Sequence, residues 1–215
     1  MLEEIDFNEL DKIERITISH YEENAESFYL GTKDHDVSQN INAFLSVLPK
    51  GKKLDILELG CGPGRDLCVF KSMGHRTTGL DGCEKFCKMA IEQSGCKILN
   101  QQFLKLDLKD NSYDGIFANA SLFHVPSKEL KRVLGELRSS LRKNGILFSS
   151  NPRGIKEGWN GKRFVNYMEF ESSQQYLKNS GFKILFHYYR PEGKSRNEQP
   201  WLAIVSQREE FKYID

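Results

Sequence analysis

The chain begins with apolar residues at helical spacing. Leu10, Ile13 and Ile16 follow one another at intervals of three, so they fall on one face of a helix predicted for Glu9–Phe28. A polar break at residues 31–37 follows, and the pattern then predicts a second helix over Gln39–Leu48.

From residue 54 short apolar runs alternate with helical patterns. The predicted strands are Leu54–Leu59, Arg76–Leu80, Cys96–Asn100, Tyr113–Asn119 and Ile146–Ser150. The predicted helices between them are Asp66–Ser72, Glu84–Gln93 and Ser127–Arg142. Alternation at this interval is typical of a parallel sheet that is covered by helices on both faces.

The last third of the chain has a different pattern. The glycines at 154, 158 and 161 are expected to allow movement, and a helix is predicted over Glu169–Asn179. Two β-rich runs, Phe182–Tyr189 and Trp201–Ser206, are predicted to form a hairpin added to the sheet. The expected fold is α/β: a Rossmann-like, seven-stranded, mostly parallel sheet with helices on both faces and a C-terminal antiparallel hairpin.

Composition and charge narrow the functional classes. The 215 residues fit one domain, interpreted as an N-terminal helical lid (1–50), a cofactor-binding core (51–150) and a substrate-side segment with the hairpin (151–215). A formal charge of +1 gives no general attraction to nucleic acid or an anionic membrane, and no apolar run has membrane-spanning length. We therefore expect a cytoplasmic protein, monomeric or weakly dimeric. The five cysteines do not form a paired zinc pattern, so no metal is expected.

The strongest local signal is a glycine turn after the first predicted strand. Ligands of open parallel sheets bind beyond the carboxyl ends of the strands, and glycines there remove Cβ atoms from the path of the ligand. Glycines occupy positions 60, 62 and 64, and Glu58 precedes them. A dinucleotide fingerprint requires its third glycine at the position of Arg65, so this spacing disfavours a nicotinamide-dependent oxidoreductase.

An acidic residue follows the second predicted strand. Asp81 lies 21 residues beyond Gly60, about the offset at which an acid meets a ribose diol. Its carboxylate can accept hydrogen bonds from both ribose hydroxyls. The alternative interpretation is an aspartate that caps the next helix.

The G-x-G-x-G turn preceded by an acid resembles motif I of the class I S-adenosylmethionine-dependent methyltransferases. After strand three this family usually places an Asp that meets the adenine amino group, and here Gln102 and Phe103 follow that strand. The run Phe117–Pro126 resembles the motif after strand four of the small-molecule members, which commonly has a His at the position of His124. The resemblance covers roughly residues 50 to 150.

This resemblance implies that S-adenosyl-L-methionine is the cofactor and S-adenosyl-L-homocysteine the product, and that a small-molecule acceptor is methylated by in-line displacement. The residues predicted for cofactor binding are Glu58, Gly60, Cys61, Gly62, Gly64, Asp81, Gly82, Gln102, Phe103 and Asn119. Tyr21 and Tyr29 are added because aromatic rings near a sulfonium can offer cation–π attraction; the alternative is that they dock the first helix.

Candidates for catalysis and acceptor binding lie near the carboxyl ends of later strands. His124 is the first candidate for a general base or an acceptor-orienting group, and His35, in a break that can fold over the cofactor as a lid, is the second. Asn151, Arg153 and Arg190 join His124 as candidate acceptor-binding residues, which favours a small, partly anionic acceptor.

Other functions remain open on the sequence. Methyltransferases that act on base amines often carry Asn-Pro-Pro-aromatic after strand four, where this chain reads Asn119-Ala120-Ser121-Leu122. The neutral charge also argues against an RNA or DNA substrate. A protein or peptide acceptor and a non-catalytic S-adenosylmethionine-binding module remain alternatives.

Overall fold

The computed structural model describes residues 7–210. Its helices are α1 Phe7–Glu23, α2 Ala25–Thr32, α3 Ser38–Ser46, α4 Arg65–Ser72, α5 Glu84–Ser94, α6 Ser127–Ser140 and α7 Phe170–Asn179. Its strands are β1 Asp55–Leu59, β2 Arg76–Asp81, β3 Lys97–Asn100, β4 Tyr113–Asn119, β5 Leu141–Pro152, β6 Glu157–Asn160, β7 Arg163–Asn166, β8 Phe182–Arg190 and β9 Trp201–Arg208.

Seven strands form one sheet in the order β3-β2-β1-β4-β5-β9-β8. Strands β1 to β5 are parallel, whereas β9 runs antiparallel to both β5 and β8. The predicted fold class and C-terminal hairpin are therefore confirmed. Because β8 runs parallel to β5, the loop after β8 opens at the edge where β1 to β5 end.

The two faces of the sheet carry separate apolar cores because neighbouring strand residues point to opposite faces. On one face the rings of Phe117 and Phe148 stack with centroids 4.7 Å apart, under Phe44 of α3 and Phe70 of α4. On the other face, Leu57 and other buried residues of the central strands pack with α6 and α7. Helices on both faces thus fix the strands whose ends form the site.

The N-terminal helix is broken where one continuous helix was predicted. Asn24 leaves helical geometry, with φ −115° and ψ 16°, and its side-chain amide donates to the carbonyl of His20 over 2.7 Å. Helix α2 continues to Thr32, so the polar break begins at Lys33 rather than at Gly31. Local side-chain bonds of this kind compete with the helical ladder, which explains the break.

The hairpin β6–β7 was not predicted; the sequence indicated only that the glycines of this stretch allow movement. The backbone N–H of Phe164 donates to Thr17 Oγ1 of α1 over 3.0 Å, and Asn166 Nδ2 donates to the carbonyl of Val125 over 3.1 Å. The hairpin is therefore held by α1 and by the segment after β4, and such tertiary contacts leave no periodic signal in a four-residue strand. In the same way α6 ends at Ser140, two residues earlier than predicted, because β5 begins at Leu141.

Replacing Gly64 by alanine is expected to lower the free energy of unfolding by about 1–3 kcal/mol. Gly64 has φ +97°, and an added Cβ would lie 2.9 Å from the Ala90 Cα of α5. Gly135→Ala is the matched control, since nothing lies within 4 Å of its Cβ position in α6; it should stabilise the protein by about 0.5–1 kcal/mol. Urea unfolding of both variants checks this, and equal effects would contradict the packing at Gly64.

Candidate active site

A cavity of about 690 Å³ opens at the carboxyl ends of β1 to β5. Its walls come from α1, α2, the segment 33–37 and the turns that follow β1, β2, β3 and β4. The strand order reverses between β1 and β4 at this position, so neighbouring connections diverge to opposite faces and leave a crevice. The topology thus brings together turns that are far apart in the sequence.

The glycine turn after β1 forms the floor of the cavity. Gly60 and Gly62 have φ +72° and +51°, a backbone conformation that favours glycine. An added Cβ at Gly60 would lie 2.4 Å from the Ser121 Cβ, so the turns after β1 and β4 meet at a position where only glycine fits. Gly64 does not line the cavity, because it packs against α5.

Asp81 joins two turns and also faces the cavity. Its Oδ2 accepts from the Gly62 N–H and its Oδ1 from the Cys83 N–H, both over 2.9 Å. The Asp81 carboxylate therefore fixes the glycine turn and the residue that precedes α5, while the Glu84 N–H at the start of α5 donates to Glu22 Oε1. Burial outweighs the two backbone hydrogen bonds and raises the pKa of Asp81 to about 6.

Glu58 supplies a second carboxylate, buried beneath the glycine turn. The residue is 4% exposed, and its Oε2 has no hydrogen-bond partner among the described residues. Burial, together with the negative charge of Asp66, raises the pKa of Glu58 well above its usual range. A buried carboxylate oxygen without a partner is costly, so this cavity wall is suited to a positively charged ligand group.

A polar chain connects the cavity floor with the lid helices. Asn119 Oδ1 accepts from Asn40 Nδ2 over 2.9 Å, and Asn119 Nδ2 donates to Asp66 Oδ2 over 3.2 Å. Arg65 pairs with Asp66 at 2.6 Å and donates to the carbonyl of Thr32 at the end of α2 over 2.9 Å. Arg65, at the position where a dinucleotide fingerprint has glycine, therefore anchors α2.

Tyr21 and His124 form a hydrogen-bonded pair in the opposite wall. The Tyr21 hydroxyl lies 2.8 Å from His124 Nε2, and His124 Nδ1 lies 2.7 Å from the carbonyl oxygen of Phe164. A carbonyl only accepts, so Nδ1 carries the hydrogen and Nε2 accepts from Tyr21. Burial lowers the pKa of His124 to about 4, which leaves the ring neutral and a weak proton acceptor. The geometry favours orientation of Tyr21 over the predicted role of general base.

Most of the residues predicted for the site do converge on this cavity. Those that line it are Tyr21, Tyr29, His35, Glu58, Gly60, Cys61, Gly62, Asp81, Gly82, Gln102, Phe103, Asn119, His124 and Arg190. His35 is exposed at the rim, and Arg190 Nη2 donates to the carbonyl of Asp36 over 3.2 Å.

Two residues predicted for acceptor binding lie outside the cavity lining. Arg153 instead donates to the carbonyls of Gln199 and Arg196 and pairs with Glu169 at 3.1 Å, so its guanidinium holds the loop after β8. Asn151 Oδ1 accepts from the Phe123 N–H over 3.2 Å, which fixes the segment after β4. The prediction that these two residues bind the acceptor is therefore corrected, because both side chains hold neighbouring segments of the chain in place.

Arg163 is a cavity residue that sequence reasoning missed. It lies at the start of β7 and brings its guanidinium beside the Tyr21 hydroxyl. None of the ion pairs among residues 7–210 includes Arg163. Its only sequence signal is one basic residue in a stretch without periodicity, and recognising it requires the hairpin.

Comparison with known proteins gives relatives along most of the chain. The wheat (Triticum aestivum) phosphoethanolamine N-methyltransferase 1 is 28% identical over 203 residues, 88% of this chain and 39% of that protein. The trans-aconitate 2-methyltransferase of Enterobacter sp. is 31% identical over 109 residues, 48% of this chain and 41% of that protein. The chain thus spans about two fifths of the length of these relatives.

Solved structures share the fold. The Burkholderia thailandensis 1,6-didemethyltoxoflavin-N1-methyltransferase, with bound S-adenosylhomocysteine, superposes with a TM-score of 0.73 at 18% identity and covers 94% of this chain and 90% of its own.

A family model described as a methyltransferase domain matches residues 57–149. The match and the methyltransferase relatives support a class I S-adenosylmethionine-dependent methyltransferase domain over these residues. The match contains the glycine turn, Asp81 and the segment after β4, so the methyltransferase domain holds the cavity floor. The lid helices and the hairpin β6–β7 lie outside residues 57–149, in parts of the chain that supply Tyr21 and Arg163.

Within residues 7–210 no three His, Cys, Asp or Glu side chains converge in a group that could hold a metal ion. None of the helices in that range is long and apolar enough to cross a membrane.

Proposed function

We infer that the chain transfers a methyl group from S-adenosylmethionine to a small acceptor that carries an anionic group. The observation that carries this proposal is the single cavity in which two carboxylates and a glycine turn face the Tyr21–His124 pair. The methyltransferase domain match supports the cofactor half of the proposal, and the cationic Arg163 supports the acceptor half.

The residues of the cavity floor fit the cofactor. Positive-φ glycines leave room for it, Asp81 would accept hydrogen bonds from the ribose hydroxyls, and Glu58, which lines the cavity, would lie near its cationic amino group. When bound, S-adenosylmethionine supplies an electrophilic methyl group on a sulfonium sulfur. The remaining residues proposed to hold it are Tyr21, Tyr29, Cys61, Gly82, Gln102, Phe103 and Asn119.

The opposite wall would orient the acceptor. His124 Nε2 accepts a hydrogen bond from the Tyr21 hydroxyl. The lone pairs of the phenolic oxygen are therefore available to an N–H or O–H of the methyl acceptor. The lid helices and the hairpin enclose this part of the cavity, and alignment of the reacting atoms alone can supply about 7–11 kcal/mol. Proton removal by a strong base is therefore not required of His124.

The charge of the wall favours an anionic acceptor. Arg163 lacks an ion-pair partner among the described residues, and a guanidinium binds carboxylate or phosphate by paired hydrogen bonds. Two relatives are named for phosphoethanolamine and trans-aconitate, which both carry such groups. Arg190, at the cavity margin, adds a second positive charge.

A panel of acceptors tests this proposal directly. Release of S-adenosylhomocysteine is measured with phosphoethanolamine against ethanolamine, which share the same amine and differ in the phosphate. We expect turnover with the phosphorylated compound and little with the compound that lacks the anionic group. Turnover confined to compounds without an anionic group, to peptides or to RNA fragments would contradict the acceptor class, and cofactor binding without any turnover would favour the non-catalytic module.

Replacing Arg163 by glutamine is expected to raise KM for an anionic acceptor about 10- to 100-fold, the scale of a hydrogen bond to a charged group. Lys162→Gln is the matched control, since Lys162 lies in the same hairpin and pairs with Glu23 at the surface. Steady-state kinetics check the prediction. An unchanged KM in Arg163→Gln, with Lys162→Gln also unchanged, would refute a contact with the acceptor.

The affinity for S-adenosylhomocysteine should rise as the pH increases from 5 to 7.5. The pKa of Asp81 is about 6 before binding, and the ionised carboxylate is the form that accepts from the ribose hydroxyls. If the bound form stays ionised, affinity at pH 5 is weaker by roughly tenfold. The free energy of unfolding of the unliganded protein should instead fall as the pH rises from about 4 to 6. In this range the folded state holds the proton of Asp81 more tightly than the unfolded state does. Calorimetry across this range checks both; pH-independent affinity would contradict the role of the carboxylate.

A further inference from the structure

Glu14 is a buried carboxylate on the cavity side of α1. The residue is 8% exposed and lines the cavity beside the turn that follows β3. Its Oε1 accepts from the Leu104 N–H over 2.9 Å, whereas none of the hydrogen bonds given by the described residues reaches its Oε2. Burial raises the pKa of this carboxyl, opposed by the Leu104 hydrogen bond and the charges of Lys105 and Arg132. A second oxygen is therefore left for a ligand.

The turn after β3 presents no acid of its own to this part of the cavity. Gln101 is occupied, since its amide donates to the carbonyl of Asp107 over 3.1 Å and accepts from the Asp107 N–H over 3.0 Å. Gln102 faces the cavity with a neutral amide. A carboxylate that bonds directly to this turn comes from α1, because Glu14 accepts from the Leu104 N–H ninety positions later.

Several of the cavity residues on α1 and in the turn after β3 are apolar, among them Ile18 and Phe103. Ile18, one turn further along α1, lies over Gly82, where an added Cβ would be 3.0 Å from the Ile18 Cδ1. Phe103 approaches the glycine turn from the other side, with its Cζ 3.2 Å from a Cβ built on Gly60. Apolar side chains near a buried hydrogen-bond acceptor suit a flat heteroaromatic ring that has an amino group on its edge.

We propose that Glu14 Oε2 accepts a hydrogen bond from the exocyclic amino group of the cofactor's adenine. Helix α1, rather than the turn after β3, then distinguishes adenine from a 6-oxo purine, because a carbonyl at that position would face the carboxylate with lone pairs instead of an N–H. This inference rests on the cofactor assignment and is independent of the acceptor.

Calorimetry with two product analogues tests the proposal without any turnover. The dissociation constants of S-adenosylhomocysteine and S-inosylhomocysteine, which has oxygen in place of the amino group, are measured for the wild type, Glu14→Gln and Glu9→Gln. Glu9 is the matched control, since it lies on α1 with an exposed side chain that pairs with Lys128. Urea unfolding without ligand monitors folding of each variant.

We expect the wild type and Glu9→Gln to prefer the adenosyl compound by about 10- to 100-fold. In Glu14→Gln the side-chain amide can donate to a 6-oxo group, so the preference should fall to threefold or less, or reverse. A purely structural role at the Leu104 N–H would weaken both ligands alike and preserve the ratio, which would overturn the proposal. Failure of the wild type to bind either compound would overturn the cofactor assignment and this inference with it, whereas adenosyl binding without acceptor turnover would leave the inference standing.

Discussion

Replacing Tyr21 by phenylalanine is expected to lower kcat/KM for the acceptor by about 10²-fold, the scale of a misplaced reacting group. The hydroxyl is the only group removed, and it donates to His124 Nε2 at 2.8 Å beside the Arg163 guanidinium. The ring contacts with Phe28 and Phe86, at centroid distances of 5.6 and 5.7 Å, are retained, so folding and cofactor binding should stay close to wild type. Initial rates and the dissociation constant of S-adenosylhomocysteine separate the two effects.

His124→Asn provides the companion variant for this prediction. With its pKa near 4, His124 stays neutral between pH 5 and 8. The kcat of the wild type at saturating cofactor should therefore show no inflection from His124 in this range. We expect a smaller loss than in Tyr21→Phe, because the phenol remains and only its orientation is released. A Tyr21→Phe rate within threefold of wild type, or a pH inflection near 6.5 that His124→Asn removes, would contradict the orienting role.

Asp81→Asn is expected to weaken S-adenosylhomocysteine binding by about 10- to 100-fold and to lower the free energy of unfolding by about 1–3 kcal/mol. The carboxylate accepts from the N–H groups of Gly62 and Cys83, and an asparagine can offer an oxygen to only one of them. The variant therefore disturbs the glycine turn as well as the proposed ribose contact.

Asp11→Asn is the control for Asp81→Asn, because it makes the same chemical change in an exposed side chain that pairs with Lys105. Calorimetry gives the affinities and urea titration the stabilities. Wild-type affinity in Asp81→Asn, together with an unchanged free energy of unfolding, would show that the carboxylate neither supports the turn nor meets the ligand.

The sheet and the cavity floor were predictable because their signals are local. Short apolar runs identified the strands of the main sheet, and the spacing of Gly60, Gly62 and Gly64 identified the turn that follows β1. Asp81 was predictable from its offset, since the carboxyl ends of adjacent parallel strands meet at one edge. These features depend on residues close together in the sequence, and the topology then brings them into one place.

The acceptor side depends on contacts between distant segments and was predicted less well. Arg153 and Arg163 are both basic residues in an aperiodic stretch. Arg153 donates its hydrogen bonds to carbonyls of the loop after β8, whereas Arg163 lines the cavity. His124 was identified as a site residue, but its tautomer is set by the carbonyl of Phe164, forty positions later. The packing of the hairpin β6–β7 against α1 places Arg163 and the Phe164 carbonyl, and the loop after β8 places Arg153.

Calorimetric titration of S-adenosylhomocysteine into the wild-type protein at pH 7.5 tests the central claim most directly. We expect one molecule bound per chain, with a dissociation constant on the order of 1–100 µM and clearly weaker binding to Asp81→Asn. Absence of binding by a folded wild-type protein at millimolar ligand, or equal affinity in both proteins, would contradict the assignment of this cavity to S-adenosylmethionine.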